Sequence, residues 1–195
     1  MYGPAMAGTH AGPYTIEDYY ALPEDGQRYE LLDGSLIVSP FPSGTHQRIA
    51  LELVRVLDQT CPVELEVIQM AVRIRDSVLI PDLVVAHTAA VDRAPKDLEP
   101  ADVELVVEIV SPSNARVDRV LKPTVYAEAG IPGFWRIELD TDRGPELHAY
   151  ELAGDVYREV TRVTSRGRFT ARRPFAVEFD PAELAVRRPR PAPRT

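Results

Sequence analysis

Residues 78–86 and 103–110 are apolar almost throughout, which predicts central strands, because a strand covered on both faces has no polar side to present. Elsewhere the apolar positions alternate. Val63, Leu65 and Val67 alternate with polar partners, and Val72 and Ile74 with arginines, predicting two half-exposed strands. Residues 29–38 hold two β-prone runs around Asp33-Gly34, a hairpin signal. A second hairpin is expected over 147–152 and 156–163 around Gly154-Asp155, with further strands at 133–139 and 175–179. Helical spacing is rarer. Thr15-Ile16-Glu17-Asp18 has the spacing of a capped start, and Pro23 closes that short helix near Leu22. Ser43 caps a helix carrying Ile49, Leu53, Val56 and Leu57 on one face and ending before Pro62. A third helix starts at Ser113 or Asn114 and runs to about Ala129, and Pro123 inside it requires a late start or a kink. The pattern predicts an α/β fold: a mixed β-sheet flanked by helices with additional antiparallel hairpins, not a regular βαβ repeat.

The chain has 195 residues, 45 % of them hydrophobic and 27 % charged, which suits one domain with a sizeable core. Residues 1–13 are rich in Gly, Ala and Pro and are expected to be disordered, and 187–195 form a proline-broken basic tail. The domain is therefore assigned to 14–186. No apolar run nears the ~18 residues that span a bilayer, and the N-terminus has neither a basic start nor an apolar signal segment. A cytoplasmic protein without membrane contact is expected. Cys61 is the single cysteine, which excludes an internal disulfide framework and a cysteine zinc cluster.

Charge divides the chain unevenly. Residues 1–157 carry 12 basic against 26 acidic side chains, and residues 158–195 carry 10 against 4. An acidic body disfavours tight non-specific DNA binding, which depends on neutralising phosphates. Arg158, Arg162, Arg166, Arg168, Arg172 and Arg173 could still form a phosphate-facing surface, with solvated strand faces as the simpler reading. Of the 22 basic residues only Lys96 and Lys122 are lysines, so position 122 has a compact point charge where this chain otherwise uses arginine.

The chemistry is concentrated in the two apolar runs. Asp82 lies in Leu79-Ile80-Pro81-Asp82-Leu83-Val84-Val85, and Glu108 in Leu105-Val106-Val107-Glu108-Ile109-Val110. An unpaired carboxylate in an apolar site costs several kcal/mol, so its presence there demands compensation. A divalent metal held by oxygen ligands on neighbouring strands is one such compensation. Asp82 and Glu108 are candidate ligands, with the Ile109 carbonyl as a third oxygen. Lys122 is positioned to stabilise developing charge, and Glu30 to orient a metal-bound water or act as a further ligand.

These residues carry a resemblance. Pro81-Asp82 followed by Glu108-Ile109-Val110 resembles the PD-(D/E)XK nuclease superfamily, and more closely a bacterial restriction-endonuclease-like family of the Uma-two type. The matching stretches are Tyr29-Glu30-Leu31-Leu32-Asp33-Gly34, Ser39-Pro40 with His46-Gln47, the Asp82 and Glu108 runs, and Ser111-Pro112-Ser113. They continue through Asp118, Lys122 and Tyr126-Ala127-Glu128-Ala129-Gly130-Ile131-Pro132 to Trp135. The resemblance implies a mixed sheet flanked by helices and Mg²⁺-dependent cleavage of DNA, with Mn²⁺ as a possible substitute. A two-fold homodimer would suit a duplex substrate. One position departs from the superfamily: two residues after Glu108 the chain has Val110 where a lysine is expected, and the resemblance to the Uma-two type implies that this lysine has moved to the next helix, where it matches Lys122.

Simpler readings accompany each candidate. Asp82 could cap backbone amides, Lys122 could pair with Asp118, and Glu30 on an edge strand could pair with Arg28 or Arg48. His46 could line the cleft or bind phosphate at its helix start, although a surface position is its default. Tyr126 and Trp135 are read as core aromatics. Two rival functions follow: a lapsed nuclease that binds nucleic acid or a protein without cleaving, and an interaction module whose carboxylates satisfy buried amides.

Overall fold

Pro81-Asp82 divides the first long apolar run between two different sheets. A computed structural model describes residues 12–94, 96–110, 115–139, 144–164 and 166–186. Helix α1 (Ile16–Tyr20) begins at a reciprocal box in which Thr15 Oγ1 accepts from the Asp18 amide and Asp18 accepts from the Thr15 amide. Strands β1 (Arg28–Leu32) and β2 (Ser35–Ser39) turn through Asp33 and Gly34, at φ 46° and 75°. Such left-handed pairs match the twist of a tight hairpin. Helix α2 (Gly44–Asp58) is capped by Ser43, whose Oγ accepts from the His46 amide at 3.2 Å.

Strands β3 (Leu65–Ile68), β4 (Ala71–Ile74), β5 (Ser77–Leu79) and β6 (Leu83–His87) follow. The expected single strand over 78–86 is thus two strands, since proline cannot donate to a ladder and favours a break. After α3 (Thr88–Val91) and β7 (Asp97–Leu98) comes β8 (Val103–Val110), the second apolar run. A π-helical segment, Val117–Leu121, leads into α4 (Lys122–Glu128). Pro123 therefore sits in the first turn of α4, directly after the π-helical turn, in which the Lys122 amide donates to the Val117 carbonyl. The chain closes with β9 (Gly133–Glu138), β10 (Glu146–Ala153), β11 (Val156–Val163), β12 (Phe169–Ala171), β13 (Val177–Phe179) and α5 (Ala182–Ala185). The strand expected at 175–179 is β13, whereas β12 and α5 carry too few residues to give a periodic signal. The candidate cap at Ser113 or Asn114, the segment 1–11 and the tail 187–195 lie outside the described residues.

One sheet has the order β11-β10-β9-β8-β6-β3, a second β2-β1-β5-β4-β7, and β12 and β13 pair as a separate two-stranded sheet. All neighbours in the first are antiparallel except β8 and β9, which run parallel. Parallel neighbours need a crossover, and the π-helical segment with α4 lies on it. Side-chain alternation along β8 then builds two cores. Leu105, Val107 and Ile109 pack with Ile49, Leu53 and Leu57 of α2 on one face. Val106 packs on the other face with Tyr126 of α4 and with Val72, Ile74 and Leu79 of the second sheet. Glu108 has the parity of Val106 and Glu30 that of Leu32, so both point into this inter-sheet layer.

Candidate active site

Lys122 is the centre of a buried charge cluster. Its Nζ lies 2.9 Å from Glu30 Oε1, 3.2 Å from Glu108 Oε1 and 3.6 Å from Asp118 Oδ1. Asp118 is one turn earlier, in the π-helical segment, whose wider turn delivers both side chains to the same place. Tyr126, one turn later, donates its hydroxyl hydrogen to Glu108 Oε1 at 2.7 Å. Glu30 also accepts from the Ile80 amide at 2.7 Å, which fixes it against the connection between β5 and β6. Glu30 lies on β1, between β2 and β5, so the edge position expected for it is replaced by an interior one with 1 % exposure.

Asp82 stands beside this cluster with a separate set of partners. The Ile109 amide donates to its Oδ2 at 2.7 Å, His46 Nε2 lies 3.1 Å from the same oxygen, and Arg28 Nη1 lies 3.1 Å from Oδ1. Arg28 also donates to the Ile80 carbonyl. The Asp82–Ile109 bond seats the aspartate one residue from Glu108. His46 is 7 % exposed and belongs to the site, which overturns its default reading as a surface residue. The first turn of α2 turns it inward. Its Nδ1 is buried with no hydrogen-bond partner. Tyr126 is buried as expected, but its hydroxyl gives it a role beyond packing.

Arg28, Glu30, His46, Asp82, Glu108, Ile109, Asp118 and Lys122 line one cavity of about 250 Å³, opened at its rim by the loop 39–43. Four carboxyl groups face two permanent cations there. The imbalance sets the protonation behaviour. Burial, together with the charges of Asp82, Asp118 and Glu30, pushes Glu108 up to about 8, against the opposing pull of Lys122. Burial likewise pushes Asp118 up to about 6, again against Lys122 and with Asp82 and Glu30 adding to it. Asp82 is held below its ordinary value: burial works against ionisation, but His46, the Arg28 guanidinium and the Ile109 amide outweigh it. Lys122 is held above its ordinary value because Glu108, Glu30 and Asp118 overcome its burial.

The donor set suits a small divalent cation. Among the described residues, no three His, Cys, Asp or Glu side chains are grouped to enclose a metal. Mg²⁺ needs no such cage, since it keeps several waters and takes one or two carboxylates. The excess of two carboxyl groups, and a Glu108 that retains its proton near neutral pH, are what an added dication would relieve.

The tertiary structure brings all four candidate side chains, Glu30, Asp82, Glu108 and Lys122, to this cavity together with Ile109. Residue reading undervalued Arg28, His46 and Asp118; their signal is position, each lying within a stretch that also carries a stronger candidate. Among the described residues, the C-terminal arginines Arg158, Arg162, Arg166, Arg168, Arg172 and Arg173 do not line the cavity. Arg162 pairs with Glu146 and Arg168 with Glu178, and Arg172 and Arg173 border a separate cavity beside Trp135.

Among solved structures, the chain is similar to a protein from Anabaena variabilis ATCC 29413 described as a "putative nuclease belonging to DUF820". The TM-score is 0.68 at 19 % identity, covering 88 % of this chain and 97 % of that one, which establishes a shared fold. No curated protein matches the chain. No described helix is long and apolar enough to cross a membrane. Residues 16–187 match the Uma2 family model, described as "putative restriction endonuclease"; the match contains every residue of the cavity, and the chain belongs to that family.

Proposed function

We propose that the protein hydrolyses phosphodiester bonds of DNA as a divalent-cation-dependent endonuclease. The observation that carries this reading is the convergence of Asp82, Glu108 and Lys122, from two strands and a crossover helix, in one cavity with surplus negative charge. Asp82 and Glu108 would hold Mg²⁺, or Mn²⁺ in its place, with the Ile109 carbonyl as a further oxygen. Bound there, the cation would supply Lewis-acid stabilisation of phosphate charge and a more acidic water.

The remaining work falls to the chain. His46, Arg28 and the Ile109 amide keep Asp82 ionised and aimed into the cavity. Tyr126 and Lys122 fix the Glu108 carboxylate in one orientation. Lys122, shared among Glu30, Glu108 and Asp118, can stabilise charge that develops on the phosphate. Glu30, held by the Ile80 amide, anchors Lys122 and can accept a proton from an attacking water. A two-fold dimer acting in the cytoplasm completes the reading, and sedimentation of the purified chain tests the first part.

One feature favours a second reading, in which the site has lapsed. Glu108 and Asp82 are each already paired with a cation of the chain, Lys122 and Arg28. Thermal stability with and without Mg²⁺ or Mn²⁺ separates the two. Stabilisation of wild type that is lost in Asp82→Asn and in Glu108→Gln, with cation-dependent cleavage of DNA, is the expected result. No shift in wild type would establish the lapsed site and remove the enzyme.

A further inference from the structure

Phe41 is 83 % exposed at the rim of the catalytic cavity. It lies in the loop between β2 and α2, between Pro40 and Pro42, and the cavity lining runs through this loop from Ser39 to Ser43. Isolated exposed phenylalanines are ordinary. This one differs by its setting. Two prolines fix the backbone φ on either side, and Pro42 restricts the Phe41 backbone as well, so the segment that presents the ring has little backbone freedom left to lose on binding. Ser43 caps the fifteen-residue α2 next to it, and both Ser43 and His46 at that helix start line the same cavity.

The depth of the site adds an independent observation. Glu30, Asp82, Glu108 and Lys122 are between 1 % and 4 % exposed, so a phosphate must descend into the cavity to meet them. A stacked duplex holds its phosphates on a stiff cylinder, whereas an unpaired strand can bend one inward. The net charge of −8 disfavours affinity drawn from neutralising the many phosphates of a duplex. Stacking of a base on an aromatic ring provides affinity without surface cations.

We propose that Phe41 is a stacking post for an unpaired base beside the scissile phosphate, and that the preferred substrate is DNA with a single-stranded or locally unpaired stretch. The inference rests on the nuclease reading above. Phe41 holds the base that leaves its neighbours, and the adjoining phosphate enters the cavity toward Arg28 and Lys122.

The test uses the full chain with Asp82→Asn to silence cleavage, and is repeated with wild type in chelator. Equilibrium binding of a labelled single-stranded oligonucleotide, and of the same sequence as a duplex, is measured alone and with Phe41→Ser or Phe41→Trp added. The expected result is tighter binding of the single strand, weakened about tenfold or more by Phe41→Ser with the duplex unaffected. Phe41→Trp should restore the affinity, with the emission of the introduced indole quenched by the bound strand. Single-strand affinity unchanged by Phe41→Ser, or a preference for the duplex, overturns the stacking role and leaves the nuclease reading standing, since DNA is still bound. Failure of every form to bind either oligonucleotide overturns both.

Discussion

Lys122 Nζ and Glu30 Oε1 are 2.9 Å apart, and their contact joins the crossover of one sheet to an interior strand of the other. The same ammonium reaches Glu108 and Asp118, so one buried cation compensates three buried carboxyl groups. Removing one partner of such a set leaves uncompensated charge, which costs more than the pair itself contributes.

Lys122→Met should therefore destabilise the fold by about 3–5 kcal/mol, read from the denaturant midpoint. Lys122→Arg should not recover the loss, because a planar guanidinium does not fit a site built around a compact ammonium. Full recovery by arginine would show that only the charge is needed.

Glu108→Gln should act in the opposite direction without metal. The amide mimics the protonated carboxyl that burial already favours, so the metal-free melting temperature should rise by a few degrees. The response to Mg²⁺ should disappear in the same variant. A melting temperature that falls would mark Glu108 as a structural anchor for Lys122 and Tyr126.

Raised carboxyl values fix the sign of the pH dependence. Glu108 moves from 4.5 to about 8 and Asp118 from 3.8 to about 6, so the folded state keeps protons that the unfolded state has released. Metal-free stability should fall as pH rises, between 3.8 and about 6 through Asp118 and between 4.5 and about 8 through Glu108, by at most about 1.4 kcal/mol per unit for each group, and level off above. Lys122, with its raised value, adds a fall of the same sign only above its ordinary range, whereas Asp82, with its lowered value, gives the opposite slope only below 3.8. Stabilisation by Mg²⁺ should be larger at pH 8.5 than at pH 6, accompanied by proton release. Thermal melts across the range and calorimetry in buffers of different ionisation enthalpy measure both. Flat stability would show that neither carboxyl keeps its proton.

His46 should act through Asp82. His46→Ala should lower cleavage about 10- to 100-fold and shift the acid limb of the rate profile upward, because Asp82 loses a partner that keeps it ionised. His46→Gln, which can still donate to Asp82, should recover most of the rate. An unchanged profile in the alanine variant would confine His46 to packing under α2.

The sequence by itself determined most of the local elements and named the candidate site residues. Alternation and turn chemistry specified both hairpins, and Ser43 with Ile49, Leu53 and Leu57 specified α2, because these signals act over a few residues. Asp82 and Glu108 were visible because a charge inside an apolar run demands compensation, and that demand is local too. Only the tertiary structure decided what supplies it. The break at Pro81 sends β5 and β6 to different sheets, which seats Glu30 against Ile80 and turns an expected edge residue into an interior one. The parallel pairing of β8 with β9 puts Lys122 over Glu108, and α2 turns His46 onto Asp82. These partners come from distant parts of the chain and carry no periodic signature. Packing two sheets and a crossover around one layer is what assembles them, and this physical condition appears only when the chain is folded.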